Sequence, residues 1–131
     1  MSGKRMNYSS GSKWEDKVGY SRAVQIGNII EISGTVAAGE DGKVVGKNDP
    51  YQQTKYILQK IEKILIKAGA CMKDVVRTRM FVTDISKFEE YGRAHGEAFS
   101  AIKPCTSMLE VKGLVETDYL IEIEATAILE G

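Results

Sequence analysis

Glu122 and Glu124 stand two residues apart in Ile121-Glu122-Ile123-Glu124-Ala125, an alternation that places both carboxylates on one face of a strand. Such a carboxylate serves as a general base only when partly desolvated, because loss of water raises its pKa toward the working range. The simpler reading is a solvated face. At a spacing of two, both carboxylates cannot enter one small pocket without neighbours from another strand, and Glu122 is carried forward as the candidate. His95, the sole histidine, lies beside Arg93 between Gly92 and Gly96, where a packed or capping place on a helix is the plainer alternative to a catalytic one. A Ser-His-Asp site needs a Gly-x-Ser-x-Gly elbow, which is absent. Cys105 has no base near it in sequence, so an inert thiol is the default. Two isolated cysteines and one histidine do not make an ordinary closed zinc site within one chain. Gly39, Gly42 and Gly46 lack the Lys-Ser/Thr ending of a phosphate loop and belong to a hairpin. No metal and no cofactor is expected.

The chain around these residues has 131 positions, and its 43% hydrophobic content suffices for one core. Its 18 basic and 18 acidic residues cancel, which weighs against the basic field that nucleic-acid binding needs. No apolar run is long enough to span a bilayer, and residues 1–17 hold no apolar leader segment. With a core of this size Cys71 and Cys105 need no disulfide, and a reducing cytoplasm is the expected home.

Positioning these residues falls to a string of short elements. Residues 1–13 read as a flexible arm, because Asn7-Tyr8-Ser9-Ser10-Gly11-Ser12 offers little to bury. Trp14 would mark where that arm docks on the domain, 14–131. Strands are expected over 20–26 and 29–33, separated by Gly27-Asn28, and a short Val44-Val45 strand after the Asp41-Gly42 turn. Asp49 as N-cap, Pro50 at the first helical position and Gln52 at the capping-box place open a helix. Its stripe is Ile57, Leu58, Ile61, Ile64, Leu65 and Ala68, and Gly69 is its stop. A strand over 75–83 should put Val76, Met80 and Val82 on one face and Arg77 and Arg79 on the other. A second capping box, Ser86 to Glu89, should open a helix through Phe99, in which Gly92 and Gly96 allow close approach to the sheet. Pro104 blocks continuation and precedes a strand over 105–111, and the last strand runs over 119–129. The order β-β-β-α-β-α-β-β predicts an α+β domain with a mixed, mostly antiparallel sheet and two helices on one face. The uncovered face, mixed in Arg, Glu and apolar residues, predicts a subunit interface with polar pockets.

The segment Pro104-Cys105-Thr106-Ser107-Met108-Leu109-Glu110-Val111, with Ile121-Glu122-Ile123-Glu124-Ala125, resembles the signature region of the RidA/YjgF family. The likeness extends through Arg77-Thr78-Arg79-Met80-Phe81-Val82-Thr83-Asp84, Gly34, and Tyr20 seven residues before Gly27. Gly19 to Val24 and Gly92 to Glu97 look like a divergent branch. The resemblance implies a chorismate-mutase-like fold, a homotrimer and three inter-subunit clefts. For the active branch it implies hydrolysis of enamines and imines to 2-keto acids and ammonia, an arginine clamping the substrate carboxylate and a glutamate positioning water. Glu122 matches that glutamate, Tyr20 the pocket tyrosine, and Ser33 and Gly34 the cleft lining. Cys105 and Thr106 fall at the clamp, where Thr106 stands in place of the arginine. A neutral hydroxyl does not replace a bidentate guanidinium. Arg93, matched to a pocket asparagine, and Arg22, two residues past Tyr20, are the candidates to restore a positive charge.

Two functions of different class follow. One is a deaminase-like hydrolase of a small carboxylate-bearing imine or enamine, using Glu122. The other is a binder that keeps trimer and cleft without that chemistry. A third, endoribonuclease or translation inhibition, is a label carried by some relatives, and the zero net charge weighs against it.

Overall fold

The computed structural model describes residues 3–130. Its elements are β1 (Met6–Tyr8), α1 (Lys13–Val18), β2 (Ala23–Ile26), β3 (Ile29–Thr35), α2 (Pro50–Lys67), β4 (Val75–Val82), α3 (Phe88–Phe99), β5 (Cys105–Glu110) and β6 (Ile121–Ile128). One six-stranded sheet has the order β1-β2-β3-β6-β4-β5. Every pairing is antiparallel except β4 with β5. This is the expected α+β, chorismate-mutase-like architecture. Among the described residues no helix is long and apolar enough to cross a membrane.

Helix α2 forms where its signals placed it. The Asp49 side chain accepts from the Gln52 N–H, Pro50 opens the first turn, and Gly69 takes a left-handed φ of 83° just past the end. Ile57, Leu58, Ile61 and Leu65 are buried against the sheet, each contributing about 1.5–3 kcal/mol through area removed from water. Opposite them β6 buries Ile121, Ile123, Ala125 and Ala127 and turns Glu122, Glu124 and Thr126 to the other face.

Several local expectations are corrected. Part of the arm is not free: Met6, Asn7 and Tyr8 pair with Gln25, Val24 and Ala23 as an edge strand, while positions 1 and 2 lie outside the described residues. Trp14 does not dock. It is 54% exposed on α1, with the ammonium groups of Lys13 and Lys17 over its ring. Val44 makes only an isolated bridge to Ala38, too short for a strand. On β4, Val76 is exposed and Val75 is buried, because the register with β6 shifts between Val75 and Arg77. One extra residue there reverses which side chains face inward. The inward set is Val75, Thr78, Met80 and Val82.

The second helix starts later than its capping box suggested. Asp84 caps a 3-10 turn, Ile85–Lys87, by accepting from the Ser86 N–H, and α3 continues from Phe88. Gly92 and Gly96 do not bring α3 close to the sheet: a β-carbon at either would meet open space. His95 is the inward residue of that stretch, 8% exposed. Cys71 and Cys105 are free and exposed.

Candidate functional site

Glu122 leaves β6 on the face away from the helices, opposite Phe81 of β4. Its carboxylate occupies the space that a β-carbon at Gly34 would fill. A bulge makes this approach possible. Ile32 faces Ala125 and Thr35 faces Ile123, so Ser33 and Gly34 of β3 stand opposite one residue of β6. Burial raises the Glu122 carboxyl above its ordinary pKa, the neighbouring Glu124 charge adds to the rise, and the Arg22 charge opposes it. Glu124 itself sits 3.8 Å from the Arg79 guanidinium.

Arg22 lies at the same end of the sheet. Its Nη2 donates to the Gly34 carbonyl at 2.7 Å, and its guanidinium lies 5.8 Å from the Tyr20 ring centroid. Among the described residues, Arg22 Nε is the one buried side-chain polar atom without a hydrogen-bond partner. Ser33 Oγ donates to the Ser21 carbonyl at 2.6 Å, and the Ser33 N–H to the Arg22 carbonyl at 3.0 Å, which tie β3 to the segment entering β2. An open hollow of about 580 Å³ adjoins these groups, lined in part by Asn7, Glu15, Tyr20, Ser21 and Ser33. A smaller one of about 200 Å³ between α2 and α3 holds none of the expected residues.

Two charged residues at this end carry no obvious sequence signal. Lys60 of α2 donates from Nζ to the Val36 and Ala38 carbonyls at 2.9 and 3.1 Å. Burial, reinforced by the Arg22 charge, pushes its pKa down to about 8. Its position beside Ile61 on the flank of the apolar stripe was the available hint. Glu15 is buried on α1 and accepts from the Ser10 N–H and Oγ at 3.1 and 2.5 Å. Its burial would raise the carboxyl, but the Ser10 and Ser9 hydrogen bonds outweigh that and lower it.

The remaining sequence candidates lie elsewhere. Thr106 of the outermost strand β5 is level with Thr78 of β4 and shares its face, so it points to the helix side. Thr78 Oγ1 lies 2.7 Å from Thr106 Oγ1 and 2.8 Å from His95 Nε2. Cys105 is level with Arg77, on the opposite face from Thr106. Arg93 is on the outer surface of α3, its guanidinium 3.9 Å from the Tyr51 ring centroid, and it joins neither group. Within one chain, then, Glu122, Arg22, Tyr20, Ser33 and Gly34 come together and Thr106 does not. Strand β4 separates β5 from β6, which alone is about 10 Å of sheet, and the two side chains leave opposite faces.

Comparisons with known proteins give the family and the fold. The family model described as endoribonuclease L-PSP matches residues 12–129. An uncharacterised protein of Streptomyces coelicolor is 34% identical over 118 residues, covering 90% of this chain and 87% of that one. The 3-aminoacrylate deaminase RutC of Acinetobacter baylyi is 33% identical over 108 residues, covering 82% and 85%. The crystal structure of a YjgF/YER057c/UK114 family member from Mycobacterium tuberculosis superposes with a TM-score of 0.87 at 46% identity, over 96% of this chain and all of that one. A family match over residues 12–129, with relatives above 30% identity, settles the kinship: this chain belongs to the RidA/YjgF family.

Proposed function

We propose that the chain is a small-metabolite hydrolase of the Rid type, acting on a carboxylate-bearing imine or enamine in a cleft between copies of itself in a homotrimer. The observation that carries this is the half-buried Glu122 carboxylate, seated over Gly34 with the Arg22 guanidinium bonded to that glycine's carbonyl. A raised carboxylate beside a cation suits general-base work on water. Glu122 takes a proton from water as its oxygen attacks the imine carbon, and the C=N electron pair moves to nitrogen. Glu122 returns that proton to the nitrogen to give a carbinolamine, then carries the carbinolamine hydroxyl proton to the same nitrogen, so that the C–N bond breaks, ammonia leaves and the keto C=O forms. An enamine first takes a proton at its β-carbon and loses one from nitrogen to become the imine. Arg22 holds the substrate carboxylate, with Tyr20, Ser33 and Gly34 lining the wall. The name of the Acinetobacter relative suggests 3-aminoacrylate, a carboxylate-bearing enamine, as a substrate of the right class. Thr106, on the β5 edge that also carries Cys105, forms the facing wall of the cleft, brought by a neighbouring copy, since one chain does not bring it to Glu122.

The test is hydrolysis of 2-iminopropionate generated in place, with a competing trap, for wild type, Glu122→Gln and Thr106→Arg. Hydrolysis by wild type that is lost in Glu122→Gln is the expected result, and a wild type with no rate above buffer overturns the hydrolase. One observation favours a second reading, a binder without turnover: Thr106 offers a neutral hydroxyl on the wall that would meet the substrate. Silence in wild type with activity in Thr106→Arg would select it.

A further inference from the structure

Thr78 and His95 are polar groups placed where apolar ones would pack more cheaply. Thr78 is fully buried and His95 is 8% exposed, with its ring centroid 4.7 Å from that of Phe99. Burying either without a partner costs about 1–3 kcal/mol, and each is the other's partner at 2.8 Å. That pair is already sufficient. The second contact of Thr78, 2.7 Å to Thr106, therefore reaches outward, to a hydroxyl that is exposed and that water alone would satisfy.

A hydroxyl has one proton to give. With His95 on one side and Thr106 on the other, Thr78 donates to one and accepts from the other, so the histidine's tautomer fixes the direction of the whole run. Thr106 then presents outward whatever is left, either its proton or its lone pairs, in a fixed orientation. None of the three groups is charged, since burial lowers the His95 pKa and keeps the ring neutral at neutral pH. The flanking exposed residues, Cys105 and Ser107, are uncharged as well. The cations beside it in sequence and register face away: Lys103 turns back to donate to the Ser100 carbonyl at 2.8 Å, and Arg77 lies on the other face of the sheet.

We propose that Thr106, aimed through Thr78 by His95, is a specificity-determining residue that hydrogen-bonds an uncharged polar group of the ligand. A carboxamide or imino N–H meets the hydroxyl in either orientation, whereas a carboxylate only accepts and finds no cation there, so the ligand is asymmetric: anionic where it meets Arg22 and uncharged where it meets β5. This rests on the reading of the cleft given above. Thr106 is the recognition group, and Thr78 and His95 are positioning residues acting through it.

The probe pair is succinamate and succinate, which differ only in whether the second end is a carboxamide or a carboxylate. Calorimetric titration of the full chain should show succinamate binding at least about tenfold tighter, the ratio that one well-made hydrogen bond confers. Thr106→Val should bring the two within about threefold, and Thr106→Ser should keep the preference. Thr78→Val leaves the Thr106 hydroxyl in place but cut off from His95, and should reduce the preference at least about threefold, which a merely structural Thr78 would not do. Equal binding of both probes to wild type, or an unchanged ratio in Thr106→Val, overturns the inference while the cleft stands. Binding of neither probe overturns it together with the reading on which it rests.

Discussion

Replacing Gly34 by alanine tests whether the placement of Glu122, rather than its mere presence, matters. A β-carbon at residue 34 would overlap the carboxylate and lie 2.8 Å from the Glu122 carboxyl carbon and 3.1 Å from its Cγ. Ordinary carbon contacts are about 3.5–4.0 Å, so the carboxyl group must retreat by about 1 Å. The moving group is the far end of a flexible side chain and not backbone. Its rotation costs about 0.5–1.5 kcal/mol, against which the alanine gains about 0.4–1 kcal/mol by restricting the unfolded chain. Stability should thus stay within about 1 kcal/mol of wild type, and Tm within about 5 °C. A 1 Å misplacement of a reacting group costs on the order of 100-fold in rate. Thermal unfolding and imine hydrolysis, measured together, should show that split. A hydrolysis rate within about threefold of wild type in a folded variant would refute the placement argument. A loss of more than about 3 kcal/mol would show that the backbone, not the side chain, limits this contact.

Gly46→Ala is the contrasting case: φ is 76° and the new β-carbon would lie 3.1 Å from the Gln53 backbone nitrogen, so stability should fall by about 1–2 kcal/mol or more with the rate per folded molecule unchanged. The Glu122 carboxyl is raised in the folded chain, so between its unfolded and folded pKa the native state holds the extra proton and stability falls as pH rises. Glu122→Gln should therefore be more stable than wild type at neutral pH and lose that advantage in acid, as denaturant melts at several pH values will show. Lys60 should titrate near pH 8 by NMR, well below the surface lysines, and because the unfolded chain keeps that proton up to about 10.5, its effect is to raise stability between those values. Titration of Lys60 with the surface amines would contradict the burial argument. In sedimentation equilibrium the chain should behave as three copies of 14.4 kDa, and a monomer at micromolar concentration would leave the cleft without its second wall.

The parts of the fold legible in the sequence are those whose signals are local. Asp49, Pro50 and the Ile57-to-Ala68 stripe state the start and inner face of α2 without reference to anything distant, and the strict alternation of β6 states both faces of that strand. What was not legible depends on partners far along the chain. The register shift beside Val75 exists only because β4 must pair with β6, and it turns Val76 outward against its hydrophobicity. Met6–Tyr8 becomes a strand because β2 offers it an edge, not because three residues of arm bury much. The candidate site divides the same way. Tyr20, Ser33, Gly34 and Glu122 could be matched by motif, but that Arg22 bonds the Gly34 carbonyl, or that Lys60 caps the end of β3, needed the packed structure. Thr78 was within reach: it shares parity with Met80 and Val82, which already makes it the polar residue of a buried face.

The properties of each wall of the proposed cleft are fixed inside one chain. Glu122 owes its raised pKa to burial on β6 and to Glu124, and Thr106 owes its orientation to Thr78 and His95. Neither depends on the other, because strand β4 and the thickness of the sheet lie between them. Variation at one wall can then alter what is recognised without disturbing the general base at the other. Placing a threonine on β5 changes the end of the ligand that is read, while the Gly34 bulge that seats Glu122 is untouched. Within one chain that separation leaves Gly34 and Thr106 with no shared partner, so only contact across the cleft between copies would couple them, and without it their effects add within about 0.5 kcal/mol. A double variant Gly34→Ala/Thr106→Val whose stability departs from that sum by more than about 1 kcal/mol would show that the two walls are coupled.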